Sequence, residues 1–98
     1  MRLGTIAQAF VLSGRGVVVL FASPPPQILA GRRITIAVTR PDGFADRFHA
    51  SCELARVADA PGGEVLALLV VNATLAGLAP GSAVAMVGDD IPNPGAAD

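Results

Sequence analysis

The side chains able to do chemistry are few, and they fall in two places: Ser13-Gly14-Arg15-Gly16, and the segment His49-Ala50-Ser51-Cys52-Glu53-Leu54-Ala55-Arg56. A histidine three positions before a cysteine has the residue types of a base and a nucleophile. On a strand, that spacing sends the two side chains to opposite faces, so the pair cannot share a proton. His49 is the chain's one histidine, and a Ser-His-Asp set would need it as its base; a sheet-face histidine in solvent is the simpler reading. One histidine, one cysteine and scattered carboxylates also lack the ligand spacing of a metal centre. Successive amides around Gly14 and Gly16, with Arg15 beside them, could form an anion nest. The third glycine of a dinucleotide fingerprint and the Lys-Ser/Thr of a phosphate loop are missing, so the segment reads as a structural turn with Arg15 in solvent. Glu53 and Arg56 are both polar, and the strand is expected to end or bulge between them; taken alone they amount to a surface ion pair.

These residues need strands to hold them. Ile6 to Leu12 reads as a first strand and Val17 to Phe21 as a second, joined in a hairpin whose glycines at 14 and 16 supply positive φ or a bulge. Pro24-Pro25-Pro26 removes three backbone donors in a row and stops pairing. From Arg33 to Thr39 a strict period of two puts Ile34, Ile36 and Val38 on one face. Arg40-Pro41-Asp42-Gly43 is a turn, with proline presetting φ, aspartate bonding its own backbone and glycine taking the left-handed position. It leads to a strand in which Phe48, Ala50, Cys52 and Leu54 form the apolar face and Arg47, His49, Ser51 and Glu53 the polar one. Asp59-Ala60-Pro61-Gly62-Gly63 should close it. Val65 to Val71 is apolar without alternation, as in a strand covered on both faces or a short buried helix; the flanking turn residues favour the strand. A helical turn over Leu75 to Gly81 precedes the last strand, Ala83 to Val87. Six strands with short turns and no helix of ordinary length predict an all-β fold, a small closed barrel that leaves no sheet edge exposed.

Composition sets the class. Ninety-eight residues, 52% hydrophobic and 15% charged, suffice for one domain with one modest core, placed at 1–88, with a mobile acidic tail at 89–98. A net charge of −1 offers no broad footprint for a polyanion or an anionic membrane. A lone cysteine fits a reducing cytoplasm, and Ser13-Gly14-Arg15-Gly16 interrupts the apolar start before it becomes a signal peptide. No apolar run approaches the ~18 residues of a spanning helix. The Asn72-Ala73-Thr74 sequon is then a coincidence of composition.

Read in order, several segments resemble the second domain of elongation factor Tu and its relatives among the translational GTPases. Phe10-Val11-Leu12-Ser13-Gly14-Arg15-Gly16-Val17-Val18 is similar to that domain's opening Phe-x-Ile-x-Gly-Arg-Gly-x-Val, and Ala30-Gly31-Arg32-Arg33-Ile34-Thr35-Ile36 to the start of its third strand. Cys52-Glu53-Leu54-Ala55-Arg56 resembles its Val-Glu-Met-x-Arg, Leu68-Leu69-Val70 its Leu-Leu-Arg, and Pro80-Gly81-Ser82-Ala83-Val84 the opening of its last strand. The resemblance implies a six-stranded barrel and a pocket for the aminoacylated 3′ end of tRNA, lined or bordered by Phe10, Leu12, Val18, Glu53 and Arg56. Neither a phosphate loop nor a guanine-reading motif accompanies it, so no nucleoside triphosphate, cofactor or hydrolysis is expected. The expectation is a stand-alone, non-catalytic interaction module that binds a protein partner or itself. The alternative is a binder of RNA or tRNA 3′ ends.

Overall fold

The computed structural model describes residues 1–56 and 63–89, and these form a closed barrel of six antiparallel strands. The strands are β1 (Arg2–Leu12), β2 (Gly16–Phe21), β3 (Arg33–Thr39), β4 (Ala45–Arg56), β5 (Glu64–Val70) and β6 (Ala83–Asp89). Around the barrel they run β1-β2-β5-β4-β3-β6, with β6 closing against β1. No helix among the described residues is long and apolar enough to cross a membrane.

Alternation in β2 and β3 carries over directly: Val17, Val19 and Phe21, and Ile34, Ile36 and Val38, are buried while their neighbours face outward. Inward residues make up the interior of so narrow a barrel, and Leu3, Ile6, Ala50, Cys52, Leu66, Leu68, Val70 and Val84 join them in the core. Each end is plugged by a connection. The β2–β3 link bears a 3-10 turn, Gln27–Leu29, that buries Leu29. The β5–β6 link bears another, Ala76–Leu78, that buries Leu78 at the opposite end. Strand β5 is covered on both faces, its residues from Leu66 to Val70 all buried, which explains the missing alternation.

Four sequence expectations need correction. Strand β1 begins at Arg2, not Ile6, because a bulge between Ile6 and Gln8 lets one strand pair β6 through its first half and β2 through its second. Leu54 is 43% exposed although it stands opposite the fully buried Leu66. Its strand has by then passed the barrel's end, where an inward direction no longer means an interior. Strand β4 runs through Arg56 in unbroken register with β5, so no bulge or end separates Glu53 from Arg56. Strand β6 includes Asp89, which pairs with Ile34; the rest of the expected tail and most of the 59–63 turn lie outside the described residues.

The β3–β4 turn is built as its residue types require. Gly43 has φ +90° and donates to the Arg40 carbonyl at 2.9 Å. The Asp42 carboxylate accepts from the Phe44 amide at 3.0 Å and from Arg40 Nη2 at 3.0 Å, while the Arg40 guanidinium lies 4.7 Å from the centre of the Phe44 ring. The Phe44 amide, then Arg40, hold the Asp42 carboxyl below its ordinary value. A lowered native value means that its contribution is present above the unfolded carboxylate range, about 3.9, and is lost as pH falls through the native value. Titration of the Asp42 carboxyl carbon by NMR should give a midpoint below that range, with the Phe44 amide resonance moving in parallel. An ordinary midpoint would mean that the turn does not depend on this carboxylate.

Candidate functional site: an outer-face cleft

On an antiparallel sheet, residues directly opposite one another share a face. Phe10 stands opposite Val18, Val18 opposite Leu69, Leu69 opposite Ser51, and Ser51 opposite Arg33. One row on the outside of the barrel therefore crosses five strands, apolar at the β1 end and polar at the β3 end. In the rows beside it, Leu12 stands opposite Gly16, Glu53 opposite Ala67, and His49 opposite Thr35, with Thr35 Oγ1 3.4 Å from His49 Nδ1.

Where the row changes character there is a cleft of about 480 Å³. Leu69 contributes to its lining, together with Arg15, Arg33, His49, Ser51 and Glu53. Arg15 comes from the β1–β2 turn, which closes as a tight turn with the Arg15 amide donating to the Leu12 carbonyl at 2.9 Å and Gly14 at φ +77°. The turn lets Arg15 Nη2 reach across β5 to Glu53 Oε2 at 3.6 Å. Both side chains are half exposed, 58% and 42%, so the pair holds weakly and can exchange for another charged group at little cost.

Of the residues expected from the sequence, Phe10, Leu12, Val18 and Glu53 lie on this outer face. Arg56 does not: three positions after Glu53 on a continuous strand, it projects to the other side of the sheet beyond the barrel's end. The expected Glu53–Arg56 pair is replaced by Glu53–Arg15. His49 and Cys52 are on opposite faces, His49 exposed and Cys52 fully buried. Sequence reasoning passed over Arg15, Arg33, His49, Ser51 and Leu69 as parts of a site. The period of two in β4 marks His49, Ser51 and Glu53 as one face, but only the register with β5 sets Leu69 beside them.

Such a cleft can bind, with cationic groups on its rim, one carboxylate and an apolar floor. Among the described residues no three metal-ligating side chains converge. No protein-family model matches this chain, and no curated protein or solved structure is significantly similar to it.

Proposed function

We propose that this chain is a non-catalytic interaction module, a barrel of the elongation factor Tu domain 2-like type, which takes a protein partner or a second copy of itself on the outer face of β1, β2, β5 and β4. The observation that carries the reading is the continuity of exposed apolar surface at Phe10 and Leu12, 41% and 38% exposed, with the cleft at Leu69 and its rim of Arg15, Arg33, His49 and Glu53. An apolar strip bordered by exchangeable charges is the make-up of a protein contact surface. A cytoplasmic address fits the single, buried Cys52.

A second reading, binding of an RNA or tRNA 3′ end, is favoured by one observation: Arg15, Arg33 and His49 gather on a single cleft although the chain as a whole carries a net charge of −1. Photo-crosslinking from Phe10 and Ser51, with Thr39 as an exposed control, tests the first reading. Discrete protein adducts from the first two positions and none from Thr39 are expected; equal labelling from all three would sink it. Titration with a short CCA-ended RNA at low salt tests the second. RNA binding weakened about tenfold by Arg15→Ala, as for loss of one charge-assisted contact, would favour the second reading over the first. Undetectable RNA binding removes it.

A further inference from the structure

The barrel is closed, but its strands are staggered. Contrary to the expectation of no exposed sheet edge, β1 is one of several that, among the described residues, are paired on one side alone over part of their length, as β4 is over residues 45–48. On its β6 side, β1 pairs only through Arg2, Gly4 and Thr5, and the last backbone bonds there join Ile6 to Gly81 and Ser82. On its other side it pairs with β2 as far as Leu12. Among the described residues no strand pairs with the remaining edge, residues 7–12, about 20 Å of open edge at the usual rise. This stretch exposes Phe10, Val11 and Leu12, at 41%, 60% and 38%. Open edges are ordinarily blunted by charge or proline. Here no charged residue and no proline occurs between Arg2 and Arg15.

We propose that this edge pairs with the same edge of a second copy, antiparallel about a two-fold axis through Phe10. The inference names the occupant left open by the interaction-module reading, and it rests on that reading. With Phe10 opposite itself, Ala9 meets Val11 and Gln8 meets Leu12 of the second chain. Two observations select a second copy over an unrelated strand. The segment is uncharged, so identical chains meet without like-charge opposition. Its pattern is also self-complementary in this register: the outer faces join as Val18-Phe10-Phe10-Val18, and the inner faces bring the exposed Val11 onto Ala9. Shifting the axis toward Ala9 would drive the Ser13-Gly14-Arg15 turn of one chain toward Gly81 and Ser82 of the other. The contact is small by the standard of permanent dimers, and the dissociation constant should lie roughly in the micromolar range.

The test is sedimentation equilibrium on the full chain over a concentration series from about 1 µM to about 1 mM, set to bracket that range. The wild type should pass from the mass of one chain to that of two. Phe10→Glu and Phe10→Lys should each dissociate at least tenfold more readily, since like charges then face each other across the axis. An equimolar mixture of the two should recover the dimer. A monomer throughout overturns the inference, as does a dimer indifferent to both substitutions or one that mixing does not restore. Should either variant fail to fold, hydrogen exchange on the wild type decides: amides within residues 8–12 must gain protection as concentration rises, and unchanged protection overturns the proposal. A monomer whose Phe10 still crosslinks to another protein overturns self-pairing while leaving the interaction-module reading standing.

Discussion

Gly16→Ala is expected to be among the most damaging single substitutions in this chain, lowering stability by about 3–5 kcal/mol, from strained backbone and overpacking together. Gly16 has φ +141°, outside the range of an ordinary residue, and an added methyl would press on the carbonyl oxygen of Val70, with the carbonyl carbon only 3.2 Å away. That carbonyl belongs to the backbone of β5 and cannot turn aside as a side chain could. The adjoining Gly14 provides the control. It too has positive φ, +77°, but nothing lies within 4 Å of its missing Cβ. Gly14→Ala should cost only the backbone term, about 1 kcal/mol. Guanidinium denaturation of the two variants separates close approach from conformational freedom, and equal losses would refute the packing account. The consequence reaches the site, because Gly16 seats the hairpin that carries Phe10, Leu12 and Arg15 against β5. Partner crosslinking from Phe10 should fall with the folded fraction.

The second large effect is expected in the core. Leu66→Ala should cost about 2–5 kcal/mol, the lost transfer free energy of the side chain plus the cavity left behind. A domain of this length has only roughly 5–15 kcal/mol of stability, so such a loss should lower Tm by ten degrees or more. Leu54, directly across the β4–β5 ladder, provides the comparison: the same residue type, 43% exposed instead of fully buried. Leu54→Ala should cost under about 1 kcal/mol, as surface substitutions do. Matched thermal melts test this, and similar shifts for the two leucines would mean that the barrel's end at β4 is more enclosed than its exposure indicates.

Leu54 and Leu66 also mark the limit of what alternation can tell. In β3, each inward residue lies within the barrel's height, and the period of two reads out the core without error. The same rule placed Leu54 inside, because periodicity gives the direction of a side chain but not the length of the enclosure it points into. Strand β1 shows a related limit: its bulge at Ile6 and Gln8 breaks the pattern, so the first residues of the strand went unread. The unpatterned apolar run in β5 fits a buried helix as well as a strand covered on both faces, and it is the flanking turn residues that favour the strand; burial of consecutive residues from Leu66 to Val70 leaves no polar face to alternate with.

For the candidate site, the sequence by itself determined the turn at Ser13 to Gly16, the polar face of His49, Ser51 and Glu53, and the incompatibility of His49 with Cys52. Each depends on spacing within one strand or one turn, where geometry is local. It could not determine that Arg15 meets Glu53, that Arg56 stands apart, that Leu69 floors a cleft rimmed by Arg33 and His49, or that residues 7–12 of β1 have no strand beside them on their β6 side among the described residues. Those facts depend on which strands become neighbours and in what register. In a closed barrel these are set by the joint packing of all six strands around one core, not by any segment on its own.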